Sequence, residues 1–381
     1  MKRFYIILFF SALCLNLGAQ DKKIFSFNGY VSVMPSVMFD SLSGKIYNQE
    51  LLHNRLNFKA YAGDKFSFGL ELRNRIFMGN LIGSTPGYAA MTGSDAGLFD
   101  LSFNLADSRS FLFNSTIDRY WIDYNSGKFQ ARIGRQRINW GQTLVWNPND
   151  IFNPYTVFDV DYAERPGCDA VRLQYFPSAS SAVELAVKED SEKKLTAAAL
   201  WRFNKWGYDI QAIAGYAGGH DFIAGAGWSG AIGTVSFRGE ATWFRPVGRY
   251  SDSTSKAIVT VGADKMFADN SMIQVQIMYC NDPLEPAAFA SFYTGSLSAK
   301  DLAFSKFSAF IGGTVSLSPL VKVTISGMAI PDMKGWFAGP SLDWSLSSSL
   351  DLSVIWQYFK AHMGGTAVRN NLGFLRLKYS F

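Results

Sequence analysis

The chain has 381 residues, 36 Lys and Arg against 31 Asp and Glu, with 48% hydrophobic, 15% aromatic and only 18% charged residues. Soluble domains carry about 25% charged residues, so this surface is poorer in charge than water favours, and the apolar content excludes a disordered chain. Three cysteines exclude a disulfide framework and a net charge of +5 gives no sign of a nucleic-acid partner, which leaves a large β protein or a chain that lives in lipid.

Met1–Gln20 has a basic start at Lys2 and Arg3, an apolar stretch from Phe4 to Leu15 and a small-residue exit at Gly18-Ala19. That order is a secretory leader, and we expect cleavage near Ala19. Losing Lys2 and Arg3 lowers the net charge from +5 to +3. Residues 20–381 are then expected to form one domain, with no separate plug, because strand-like text begins at Ile24. Cys168 and Cys280 remain as an isolated pair, with neither metal-site nor disulfide spacing.

No later run of about 18 apolar residues occurs, so helical membrane spans are excluded. The text alternates with period two instead. Over Lys65–Phe77, Phe66, Phe68, Leu70 and Leu72 share one face, while Glu71, Arg73 and Arg75 share the other. Residues 271–280 and 349–360 repeat the pattern with Ile273, Val275 and Ile277, and with Leu352, Val354 and Trp356. Short turns such as Ala62-Gly63-Asp64, Asn125-Ser126-Gly127 and Asn204-Lys205-Trp206 alternate with connections that are often longer, near 40–49, 78–112, 141–167, 246–256, 282–303 and 361–368. The fold class is therefore all-β: a transmembrane antiparallel β-barrel of about 18 strands (16 also fits), with short periplasmic turns and longer extracellular loops. Trp121, Tyr124, Trp201, Trp206, Trp228, Trp243, Trp336, Trp344, Trp356 and Tyr379 are candidates for the aromatic girdles at the two interfaces.

If the apolar faces meet lipid, the charged faces line the lumen. The pore-lining candidates are Arg55, Arg73, Arg75, Arg119, Arg132 and Arg172, with Glu71 and Asp123 near enough to pair with them. Guanidinium groups grip carboxylates and phosphates in two-pronged bonds, so an arginine cluster suits an anion-preferring pore. The same arginines also suit a stiff wall paired with its own acids.

Residues 132–168 are the least generic text. They start as a strand, break at Trp140-Gly141, and pass through the turn signals Asn147-Pro148-Asn149-Asp150 and Asn153-Pro154. A loop near 141–167 carrying Trp146, Phe152, Tyr155 and Phe158 is too apolar to float in water, and we expect it to fold inward and narrow the barrel. Its constriction candidates are Trp140, Gly141, Trp146, Asn147, Asp150 and Asn153. The run Gly134-Arg135-Gln136-Arg137, with Asn139-Trp140-Gly141-Gln142 and Asn153-Pro154, resembles the strand-and-loop signature of alginate-export-like outer-membrane porins and their uncharacterised relatives. The likeness is sharp over some 40 residues and implies a barrel of roughly 18 strands with an arginine-rich conduit for anionic saccharide or other small anions. Alternation sets Arg135 and Arg137 on the face opposite Arg132, so either the strand leaves the membrane there or a bulge changes its register.

The last strand, ending Leu375-Arg376-Leu377-Lys378-Tyr379-Ser380-Phe381, resembles the signal by which bacterial outer-membrane barrels engage their assembly machinery. Three histidines, His53, His220 and His362, lack a G-x-S-x-G elbow or an H-E-x-x-H zinc motif, and no phosphate loop is present. The expectation is an outer-membrane channel of a Gram-negative bacterium for small hydrophilic solutes or saccharides, anions among them, bathed by membrane lipid and lipopolysaccharide, with no cofactor, metal or nucleic-acid partner. The rivals are a non-conducting structural or secretion-accessory barrel and an outer-membrane hydrolase.

Overall fold

The computed structural model describes residues 24–40, 44–155, 164–285, 298–363 and 366–381. The leader read in Met1–Ala19 lies outside them, as do residues 156–163 of the 141–167 loop with Phe158, Asp159 and Asp161.

Hydrocarbon offers no partner to a backbone N–H or C=O, so a spanning sheet must close. The strands are β1 (Phe25–Asp40), β2 (Ile46–Ala62), β3 (Phe66–Met78), β4 (Ser102–Ser108), β5 (Phe111–Ser126) and β6 (Phe129–Gln136). They continue as β7 (Cys168–Ser178), β8 (Ser181–Glu189), β9 (Leu195–Lys205), β10 (Tyr208–Ala217), β11 (Asp221–Ile232), β12 (Val235–Pro246) and β13 (Lys256–Met266). The last six are β14 (Met272–Cys280), β15 (Phe307–Ser318), β16 (Val321–Ile330), β17 (Gly335–Ser345), β18 (Leu350–Met363) and β19 (Thr366–Ser380). All 19 belong to one antiparallel sheet, and β3 pairs directly with β5, so every strand except β4 forms the ring: a closed barrel of 18. β1 and β19 seal it, with Gly29 and Phe381 exchanging two backbone hydrogen bonds of 3.0 Å.

Alternation sorts the side chains as the pleat requires. Phe66, Phe68, Ile273, Val275, Ile277, Val354, Leu375 and Leu377 point outward and are exposed on the bare chain, which is the lipid face of an outer-membrane barrel. Trp201, Trp243, Trp336, Trp344, Trp356 and Tyr379 are exposed there too. Trp121 is a correction to the girdle expectation. It shares the inner face with Asp123, and Lys59 and Arg132 lie over its ring at 5.8 and 4.3 Å. Its ladder neighbours are Gly69 and Gly134, and the missing side chain of Gly69 leaves the indole its room.

The wall is irregular beside β6. β4 takes the upper part of the β5 edge, Phe111–Thr116, and β6 the lower part, Tyr120–Ser126, so the two strands lie end to end along one edge. The β5–β6 ladder runs without a register shift. Of the two options left by the sequence, the bulge is therefore overturned: β6 ends at Gln136, and Arg135 stays on the outer face beside Tyr120 and Asp169. There it is buried under the chain that leads into β4. Its guanidinium holds Asp169 through two bonds of 2.9 and 2.7 Å, Asp95 at 2.6 Å and the Phe99 carbonyl at 2.7 Å. The Phe99 amide returns a bond to Asp169 at 3.2 Å, and Ser191 N–H reaches the Ala96 carbonyl at 3.2 Å. Residues 95–99 are thus strapped across the upper ends of β6 and β7.

Two outcomes follow from this strap. Arg135→Ala leaves Asp95 and Asp169 buried without their cation, and unfolding in detergent with urea should show a loss of about 3–5 kcal/mol that Arg135→Lys does not restore, because an ammonium lacks the fork. Gly134 has φ +116° and its missing Cβ would lie 2.3 Å from the Tyr120 carbonyl oxygen, so Gly134→Ala should lower the same unfolding free energy by about 1–3 kcal/mol.

Candidate functional site

The site is the lumen, and its shape comes from the chain between β6 and β7. After Gln136 the backbone turns off the wall and packs across the barrel against β8–β14. Ile138, Trp140, Val145, Trp146, Ile151 and Phe152 are all buried. The polar groups of this segment are met one by one from inward-facing wall residues. Trp140 Nε1 donates to Glu184 at 2.6 Å, and Gln211 donates to the Trp140 carbonyl at 2.7 Å. Glu240 accepts the amides of Gln142, of Thr143 at 2.6 Å and of Asn149 at 3.0 Å, and also the Thr143 hydroxyl at 3.0 Å. Gln276 takes the Val145 amide at 2.9 Å and donates to the Trp146 carbonyl at 3.0 Å. Buried backbone groups away from water need such partners, and β10, β12 and β14 each supply one, while Glu184 of β8 holds the Trp140 indole.

The six loop candidates all sit in this segment. Trp140 meets Phe152 edge-on, with ring centroids 4.9 Å apart. Gly141 is required by contact: a Cβ there would lie 2.5 Å from Asn147 Oδ1. Asn147 donates to Tyr155 at 3.0 Å, and Asn153 accepts the Ile138 amide at 2.8 Å, tying the two ends of the segment together. Asp150 is fully buried, and neither carboxyl oxygen has a hydrogen bond of full geometry. Burial pushes its carboxyl up to about 8, with the Arg137 charge opposing the shift and Glu240 adding to it.

This half of the lumen mixes those polar anchors with an apolar cluster, where the sequence reading places charged faces. Phe244, Ile258, Met278, Phe310, Met328 and Phe337 point inward and join the loop in one buried apolar cluster. Leu302 and Phe304, from the connection between β14 and β15, enter the same cluster. The inner face of β14 shows how the switch is written: Gln274 and Gln276 are followed by Met278 and Cys280 nearer the end where the loops enter.

The opposite half, lined by β1–β6, carries the charge. Arg55 is buried between Glu71 and, at 2.6 Å, Asp118. Arg119 lies 3.6 Å from Glu71 and donates to the carbonyls of Glu164 and Arg165, at 2.5 and 3.0 Å, which fixes the returning end of the loop. Tyr30 donates to Glu164 at 3.2 Å and lies 3.5 Å from His53. Arg75 reaches Asn114 at 2.8 Å and the Thr92 carbonyl at 3.1 Å. Arg73 and Arg75 line a cavity of about 520 Å³ with Thr116 and Asp118, and it reaches the strap, where Asp95 and Arg135 border it. Arg132 pairs with Asp123 at 2.8 Å, and Arg172 grips Glu184 through two 2.8 Å bonds. Arg55, Arg73, Arg75 and Arg119 thus share one side with Glu71. Arg132 and Asp123 stand on the Trp121 stretch of the wall near the short turns, and Arg172 belongs to the wall under Trp140.

Sequence reasoning missed several participants. Asp118 alternates onto the lipid face by count, but the β3–β5 ladder shifts at Glu71/Leu72 and turns both Asp118 and Arg119 inward. Glu240 was readable as an inner-face acid, though nothing local marks it as the seat of a loop 97 positions upstream. Among the described residues no cluster of three or more metal-ligating side chains occurs.

Solved structures with this architecture are similar to the chain along nearly all of its length. OccAB3 of Acinetobacter baumannii matches with a TM-score of 0.62 at 9% identity, covering 94% of this chain and 99% of that one. OccK11 (OpdR) of Pseudomonas aeruginosa gives 0.61 at 7%, covering 94% and 96%, and OpdQ of Pseudomonas aeruginosa gives 0.60 at 9%, covering 94% and 99%. At such identities the likeness shows the fold, that of an outer-membrane porin barrel. No curated protein matches the sequence. A family model described as "Protein of unknown function (DUF1302)" matches residues 105–299, which include β5–β14 and the whole inward loop. That stretch is more than half of the chain, and the protein belongs to the DUF1302 family.

Proposed function

We propose that the protein is a porin-like channel of the outer membrane that passes small hydrophilic solutes, anions and acidic saccharides among them, through the basic half of its lumen. The observation that carries this reading is the division of the barrel. The loop and its apolar cluster occupy one side, while Arg73 and Arg75 border a cavity of about 520 Å³ on the other. In this reading Arg55, Arg119, Arg132 and Arg172, with Glu71 and Asp123, set the field of the path, and Trp140, Gly141, Trp146, Asn147, Asp150 and Asn153 set its width. The resemblance of Gly134–Gln142 to alginate-export-like porins supports an acidic saccharide as solute. Arg135, however, serves the outer strap, so the motif contributes wall geometry rather than a ligand contact.

The reading is non-enzymatic: His53 is buried against Tyr30 and His220 pairs with Asp221 at 3.2 Å, neither beside a nucleophile in the arrangement acyl transfer needs. Met1–Ala19 would be the cleaved leader, lipopolysaccharide would surround the loop end, and the strand ending at Phe381 would engage the assembly machinery. The apolar plug favours one alternative, a structural or accessory barrel that does not conduct.

Purified protein in planar bilayers decides between them. Discrete conductance is expected, with a reversal potential under a salt gradient on the anion side. Arg73→Gln with Arg75→Gln should move that potential toward the unselective value. Cation preference in the unmodified protein would remove the anion reading, and absence of any conductance would leave the accessory barrel.

A further inference from the structure

Two carboxyls are buried where the inward loop meets the wall, and only one is satisfied. Glu240, on β12, accepts four hydrogen bonds from the loop, so its charge is matched by fixed donors. Asp150, on the loop itself, is completely buried and has no such set: the amides of Trp140 and Asn153 approach it without closing hydrogen bonds of full geometry. The groups facing it are Arg137 and Tyr155 from the same loop, Glu240 from β12 and Cys168 from β7. Lys188 of β8 is turned to the Phe152 carbonyl at 2.6 Å. Arg137 is therefore the cation set against two acids, and it is also drawn toward the Glu164 carbonyl at 3.5 Å and the Tyr155 ring at 5.7 Å.

We infer that Glu240 and Asp150 are positioning residues that make the width of the constriction depend on pH: Glu240 seats the loop, and Asp150 permits the seat while its carboxyl holds its proton and loosens it when that proton leaves for water. The physical reason is desolvation. An ionised carboxylate without donors is costly in a dry site, and a second acid nearby adds repulsion. The charge regains its hydration only if the segment around Asn147–Asn153 lifts from the wall.

The direction follows from linkage. In the seated loop the Asp150 carboxyl stands at about 8, against its ordinary value of 3.8. A group raised in the seated state binds its proton there more tightly than in the lifted state. The seat is therefore fully favoured below about pH 4 and weakens as pH rises toward 8, by up to about tenfold in the equilibrium per pH unit.

Hydrogen exchange of the loop amides over residues 137–155 tests this in the intact barrel, with protection corrected for the intrinsic pH dependence of exchange. Protection should fall between pH 5 and 8 in the unmodified protein and stay level in Asp150→Asn, which keeps the shape without the charge. Glu240→Gln should lower protection at every pH while retaining the slope set by Asp150. A level profile in the unmodified protein, or an undiminished slope in Asp150→Asn, overturns the proposal. Bilayer recordings add the functional arm, which rests on the channel reading: conductance should rise with pH in the unmodified protein and not in Asp150→Asn. A sloped exchange profile in a barrel that does not conduct would uphold the hinge and remove only the channel.

Discussion

Every backbone polar group that enters hydrocarbon must find its partner within the protein, and the rest of this structure is arranged around that demand. It forces closure, with Gly29 and Phe381 joining the first strand to the last. Closure fixes alternation, since each residue faces either lipid or lumen. Alternation then turns most of the charges of the spanning strands, and much of the surplus loop, into the lumen. The same demand recurs inside, where the segment after Gln136 has left the ladder and depends on Gln211, Glu240 and Gln276 for the backbone hydrogen bonds that a strand partner would have supplied.

The two halves of the lumen solve different problems. On the loop side the wall trades polar inward residues for Phe244, Ile258, Met278 and Phe337, so the loop is held by packing as well as by bonds. On the other side the inward residues remain charged, and most are balanced by acids within reach, as Arg55 is by Glu71 and Asp118. Pairing of this kind costs desolvation for both partners and is poor evidence of stability by itself. Its effect here is to fix guanidinium groups in place along the inner wall of β2–β6.

Much of the fold is legible in the sequence because the pleat is a local property. Phe66-Ser67-Phe68 and Leu375-Arg376-Leu377 declare their faces without knowledge of any neighbour, and the short turns between strands bring the count to about 18, with 16 also open, before the closed ring fixes it at 18. What escaped depends on partners across the barrel. Trp121 reads as an interface aromatic until Gly69 and Gly134 are seen beside it. Asp118 reads as lipid-facing until the ladder shift is known. Arg135 reads as an anomaly because its second acid, Asp95, lies 40 positions upstream on a strap that no periodicity announces. Met278 and Cys280 continue the alternation of β14 faithfully, and only the loop opposite them shows why the inner face should turn apolar there.

The loop's anchors also carry a lesson about time. It leaves the wall after β6, yet Thr143 is held by a residue 97 positions later and Val145 by one 131 positions later. As the chain emerges, Thr143 and Val145 have nothing to rest on until β12 and β14 have joined the sheet. Contacts of such separation form late, since loop closure must be met before they contribute. The barrel is consequently at its most hollow while it is still incomplete, and its narrowest point is among the last features of the molecule to come into being.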